Sequence, residues 1–237
     1  KFLEEKGFYV TKNSHSNYAQ TSTSLASTLN MKYLNYLSDI VGNESKDHKI
    51  LYQMLDNNLV MRNFKSAGYQ VYNISSGAWN TGSLNIADEH LCSKNENMDF
   101  RTLYQLKQTS ILRSFDIFIK EPTSRFMHQE HRDRIFCQFD EITEIKQRTE
   151  KPVFVFMHIL SPHDPFVFGP NGEEVDYKYT FGQDVLHTQL PVMVGLAPDE
   201  EIKAYRDQVI YLTKILRQTI DKLLENSDNP PIIIIQS

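Results

Sequence analysis

The chain has 237 residues, enough for one domain with a sizeable core, and its composition is that of a globular protein, 40% hydrophobic and 23% charged. A formal net charge of -5 argues against a general nucleic-acid binder, which needs a basic face, and no apolar run of about 18 residues is present to span a bilayer. Cys92 and Cys137 have neither metal-ligand spacing nor the density of a disulfide scaffold; they read as free or buried thiols, with a single bridge as the alternative.

The first residues read as the end of a helix containing Phe2 and Leu3, a Gly7 C-cap and a short strand from Phe8 to Val10. Lys1 to Lys6 is a charged helix end, not a signal-peptide opening. Thr11 to Ser24 holds seven Ser/Thr residues, two Asn and one His, and reads as a loop. From Leu25, the residues Leu29, Leu34, Leu37 and Ile40/Val41 recur at helical spacing up to a stop at Gly42, with Ser22, Thr23 or Ser24 as candidate N-caps. A second helix is expected from Asp47 to Ala67, closed by Gly68, and then a strand from Tyr69 to Ile74. Such a helix-to-strand step builds parallel sheets.

Ser75 to Met98 reads as a long loop around Gly77, Trp79 and Gly82. Helices are expected over 99–119 and 129–148. Val153–Ile159 is a near-continuous apolar run fit for a central strand covered on both faces. A second excursion, Ser161 to Pro198, precedes the clearest helix, Asp199 to Leu224, with Val209, Leu212, Leu216, Ile220 and Leu223 on one face and an acidic start at Asp199–Glu201. Ile232–Ile235 reads as an interior strand, and both ends of the chain read as cut.

Two segments carry chemistry. Ser16-Asn17-Tyr18-Ala19-Gln20-Thr21-Ser22-Thr23-Ser24-Leu25 leads a polar loop into a helix. A hydroxyl there lies beside unpaired backbone N–H groups and the positive end of the helix dipole, which suit phosphate or sulfate; a plain Ser/Thr cap is the competing reading. In His158-Ile159-Leu160-Ser161-Pro162-His163-Asp164-Pro165, two histidines follow the apolar strand in a turn braced by two prolines. They can bind metal, donate to a phosphoryl oxygen or act as acid and base; one core and one solvated histidine is the competing reading. His128, Glu130 and His131 read as a solvated helix face, Trp79 as a packing anchor and His15 as exposed. No glycine-rich phosphate loop follows any strand, which disfavours a nucleotide-sugar enzyme.

Taken in order, these segments resemble the sulfatase-like branch of the alkaline-phosphatase superfamily, which includes lipoteichoic-acid synthases and phosphoethanolamine transferases. Gly7-Phe8-Tyr9-Val10 resembles the strand after the family's first helix, and Ser16 to Thr21 with the helix near Ser24 resembles its nucleophile segment. Gly68-Tyr69 resembles the entry to its next β-unit, and His158 to Pro165 its substrate-binding histidine turn. Tyr205 to Leu224 and the isoleucine run resemble the elements before an Asp-His-Gly metal motif, which would begin after Ser237; another acidic ligand would precede Lys1.

The resemblance implies an α/β fold, a three-layer sandwich with a mainly parallel central sheet, forming a single catalytic domain fragment over 1–237 that is truncated at both ends. It implies Thr21 as nucleophile and metal-bound group, and His158, His163 and Asn17 as substrate-binding residues. The remaining ligands of a divalent ion (Zn, Mn, Mg or Ca) are expected outside the fragment, which is expected to be inactive as given. Formylglycine sulfatases carry a Cys/Ser-x-Pro-x-Arg signature; Thr21 is followed by Ser22, Thr23, Ser24 and Leu25, and a threonine cannot become formylglycine. The resemblance therefore implies a phosphoryl-group transferase or phosphodiesterase acting through a covalent phospho-threonine. Its substrates would be phosphorylated or sulfated small molecules, lipid head groups or glycans at the extracytoplasmic face of the membrane, with membrane attachment only through missing segments. A degenerate domain that binds such anions without catalysis is the alternative.

Overall fold

The computed structural model describes residues 1–42, 44–78, 80–93, 116–175, 198–225 and 229–236. The chain divides into two compact units: Lys1–Leu91, Glu141–His158 and Thr219–Ser237 form the first, and Cys92–Asp140 with Ile159–Gln218 the second.

In the first unit, α1 (Phe2–Glu5) ends as expected at Gly7, whose φ of 85° lets the Gly7 N–H reach Glu4 O (3.0 Å) and the Phe8 N–H reach Leu3 O (2.9 Å). The strand expected at Phe8–Val10 does not form: the segment pairs with no described strand, and Tyr9 is 91% exposed. The helix expected from Leu25 to Val41 is two, α2 (Thr21–Leu29) and α3 (Leu37–Val41), separated where Met31 takes a φ of 51°. The next is also split, into α4 (Lys49–Asp56) and α5 (Leu59–Ser66). Buried Asn58 causes that break, accepting the Met61 N–H at 2.9 Å as N-cap and donating to Leu55 O at 2.8 Å. Asn30 donates to Ala26 O and Met54 O and accepts the Leu59 N–H, tying α2, α4 and α5 together. Hydrophobic spacing runs through both breaks, so periodicity alone joined what asparagines separate.

Gly68, with a φ of 89°, closes α5 and turns the chain into β1 (Gln70–Ile74). β2 (Glu89–Leu91) lies inside the segment read as a loop. Both β2 and β3 (Val153–Met157) pair parallel to β1, in the order β2-β1-β3. The parallel α/β class is as expected, but β1 holds the middle of the described sheet; β3, read as central, is at its edge with all five residues half-buried. Ala26 and Leu29 of α2, Leu51 and Leu55 of α4, Met61 of α5 and Val71 of β1 form one buried cluster, with Phe154 and Phe156 packed against it.

Ile232–Ile235 is not a strand. It belongs to no ladder among the described residues, and Ile232 is 94% and Ile234 85% exposed. An isoleucine run sets β-propensity, but a strand also needs a neighbouring edge to pair with.

Helix α6 (Asp116–Glu144), followed by a 3-10 turn at Ile145–Gln147, accounts for the helix expected over 129–148; most of the one expected over 99–119 lies outside the described residues. Helix α7 (Pro198–Glu225) matches the expected Asp199–Leu224, acidic first turn included. In the second unit, Ile135, Phe139, Val167, Phe168 and Leu212 form a buried cluster. Cys92 and Cys137 are joined in a disulfide, with Cα atoms 5.8 Å apart, in place of the free thiols expected.

Candidate active site

The polar segment ahead of α2 is ordered by its own side chains. Ser16 donates to Tyr18 O (2.7 Å), Ser24 donates to Asn17 Oδ1 (2.7 Å), and the Asn17 amide reaches Thr28 Oγ1 at 3.5 Å. Asn17 is thus drawn onto α2 at Ser24 and Thr28. The N-cap is Gln20, in extended backbone, and not Ser22, Thr23 or Ser24, which lie inside the helix. Thr23 bonds backward to Gln20 O at 2.9 Å instead of capping the turn. No side chain caps this end and no acidic residue occupies the first turn.

Burial separates the four consecutive hydroxyls. Ser22 and Ser24 are 7% and 8% exposed, Thr23 is half-buried, and Thr21 is exposed. Its hydroxyl therefore stands in solvent at the first helical position, beside N–H groups without an intrahelical acceptor and at the positive end of the dipole.

His158 follows the last residue of β3, where Met157 pairs with Ile74 of β1. Beyond Ile74 the chain turns through Ser75 and Ser76, so both strands end at the same carboxyl edge, where parallel α/β sheets place their chemistry. Thr81 Oγ1 lies 2.7 Å from His158 Nδ1 and Ser76 Oγ lies 2.7 Å from Thr81 Oγ1. Burial pushes the His158 imidazole below its ordinary pKa, because a charged ring there loses hydration. Asn73, fully buried in β1, accepts the Leu84 N–H at 2.8 Å and donates to Thr81 O at 3.4 Å, which fixes the backbone of this loop. Ser76, Thr81 and Asn73 were not legible as site residues. The one signal was Ser75-Ser76-Gly77 directly after a strand.

His163 belongs to the second unit. It is exposed, with Nδ1 2.5 Å from Asp164 Oδ1, and the Ser161–Pro162 and Asp164–Pro165 peptide bonds are cis. Gln208 of α7, fully buried, donates to Pro162 O and His163 O (3.2 and 3.3 Å) and accepts the Val167 N–H (2.8 Å). This glutamine, hidden among the apolar positions of α7, shapes the histidine turn. Arg132 holds the segment beyond it: the guanidinium binds Val167 O, Gly172 O and Glu173 O and lies 4.5 Å from the Phe168 ring centre.

His128 and His131 are not on a solvated face. They are 3% and 8% exposed, in register with Ile135 and Phe139 along α6, and His131 Nε2 lies 3.2 Å from Ser161 Oγ. The dense charge around them masked the apolar stripe they belong to. His15 is exposed as expected, and Trp79 lies outside the described residues.

The donor set does not fit a metal ion by itself: among the described residues no three His, Cys, Asp or Glu side chains gather into a site. Among the same residues no helix is long and apolar enough to cross a membrane. No curated protein and no solved structure matches the chain. The family model described as Sulfatase matches residues 2–237, nearly the whole length, in agreement with the parallel α/β fold and the order of its segments. The chain belongs to the sulfatase family.

Proposed function

We propose that this sulfatase-family domain is a phosphoryl-group transferase or phosphodiesterase, with Thr21 as its nucleophile. The observation that carries the assignment is the exposed Thr21 hydroxyl at an uncapped helix start, next to three hydroxyls that burial or hydrogen bonds withdraw. The absence of the Pro and Arg of the formylglycine signature after it favours phosphoryl over sulfuryl transfer.

In the proposed reaction Thr21 Oγ1 gives up its proton to solvent and forms a bond to phosphorus, the bond to the leaving-group oxygen breaks, and that oxygen departs with the electron pair and takes up a proton from solvent. The first-turn N–H groups of α2 donate to the non-bridging oxygens, and Asn17 is assigned to the substrate as well. His158 is assigned to a substrate oxygen. Water or an acceptor alcohol then cleaves the phospho-threonine. Family members typically use a divalent cation, which when bound would activate a hydroxyl and neutralise phosphoryl charge. Substrates of the class of lipid head groups or anionic glycans, outside the cytoplasm, agree with the Cys92–Cys137 disulfide, a bond favoured in oxidising compartments.

The test is turnover of a chromogenic phosphodiester by the full-length protein with added divalent cation. Thr21→Ala is expected to lose about 10³-fold or more in kcat, with folding unchanged by circular dichroism. Unchanged turnover would remove Thr21 from the mechanism. Anion binding without turnover in the wild type would favour the non-catalytic reading.

A further inference from the structure

Three polar groups beyond the carboxyl edge of β1 form a directed chain. The Ala78 N–H donates to Ser76 Oγ at 2.9 Å, Ser76 Oγ and Thr81 Oγ1 are 2.7 Å apart, and Thr81 Oγ1 is 2.7 Å from His158 Nδ1. Ser76 is 2% exposed and Thr81 fully buried, so both are shielded from bulk solvent. A backbone amide can only donate, which gives the chain a fixed end. If Ser76 then donates to Thr81 and Thr81 to His158, each donor has one acceptor and every step has a short hydrogen-bond length.

The reverse order fits less well. His158 Nδ1–H would donate to Thr81 and Thr81 to Ser76, which would then accept twice and need an acceptor for its own proton. The described residues offer none. The other acceptor for Thr81, Asn80 Oδ1, lies at 3.5 Å, too far to compete with contacts of 2.7 Å. Consecutive bonds of one sense also polarise and strengthen each other.

We infer that Thr81, anchored by Ser76, is a positioning residue that holds neutral His158 as its Nε2–H tautomer. His158 then offers a donor, suited to an anionic oxygen, and neither a metal-ligating lone pair nor a general base at Nε2. This deepens the substrate-oxygen role assigned to His158 above and rests on that reading for its functional consequence. The tautomer itself does not.

The test is a long-range proton–nitrogen correlation spectrum of the His158 ring at neutral pH, assigned by comparison with His158→Gln. In the wild type and in Thr81→Ser, Nδ1 is expected in the unprotonated range and Nε2 in the protonated range. In Thr81→Val, which keeps the shape and loses the hydroxyl, both nitrogens are expected to move toward the values of a mixture. A protonated Nδ1 in the wild type overturns the inference, whether or not Thr81→Val folds; so does a Thr81→Val spectrum identical to the wild type. If the phosphodiester is turned over, Thr81→Val lowers kcat about tenfold and Thr81→Ser restores it. If nothing is turned over but the spectra are as stated, the catalytic reading fails and the positioning role stands.

Discussion

Around Thr21 and His158, neighbouring side chains of the same chemical type are sorted by burial. Thr21 and Ser22 are adjacent hydroxyls, yet helical periodicity turns one to solvent and the other into the packed side of α2. The sequence alone left the choice of Thr21 over Ser22 or Thr23 to the resemblance; the exposure of Thr21 beside buried Ser22 is a physical argument for the same choice. His158 was legible as a histidine at a strand end, but its partner Thr81 is 77 residues away and no local pattern connects them. Burial also sets its response to pH. Its folded pKa lies below the ordinary value of about 6.5, so on acidification the unfolded chain takes up its proton first and folding stability falls with pH. At and above neutrality both states are uncharged and this contribution is flat. We therefore expect the wild-type melting temperature to drop more steeply than that of His158→Gln between about pH 7 and 5. Parallel curves for the two proteins would show that His158 titrates normally.

Among the elements, β1 and α7 were legible because apolar pattern, flanking signal and burial agree in them. Helices α4 and α5 were not separable, because Asn57-Asn58 interrupts the backbone without interrupting the hydrophobic pattern. The buried Asn58 side chain bonds on both sides of that break, to Leu55 O and the Met61 N–H. Asn58→Ala removes the cap and leaves a buried N–H unsatisfied, which is expected to cost about 1–2 kcal/mol in a urea titration. Asn58→Asp, which keeps the acceptor for Met61, should recover part of that. No loss in Asn58→Ala would mean that the break is set by packing alone. β3 and Ile232–Ile235 teach the complementary point: a β-rich composition marks extended backbone, while sheet order and pairing depend on edges that composition does not encode.

For the whole molecule, class and family were legible because they rest on the order of many segments, not on any single motif. The disulfide was not, because two cysteines 45 residues apart carry no spacing signal and their proximity is a tertiary fact. Closing that loop constrains the unfolded chain by up to about 4 kcal/mol. Reduction, or Cys92→Ser with Cys137→Ser, should therefore lower the melting temperature while the helical circular dichroism at 20 °C, roughly ambient, is retained. An unchanged melting temperature would show that the bridge contributes nothing. The central claim is covalent catalysis at Thr21, and trapping the intermediate tests it most directly. The full-length protein is incubated with bis(nitrophenyl) phosphate and a divalent cation, quenched in acid, digested and read by mass spectrometry. Release of one nitrophenolate should leave a nitrophenyl-phosphoryl group on the Thr21 hydroxyl, absent from Thr21→Ala. Turnover with the adduct on another residue, or undiminished turnover in Thr21→Ala, would contradict it.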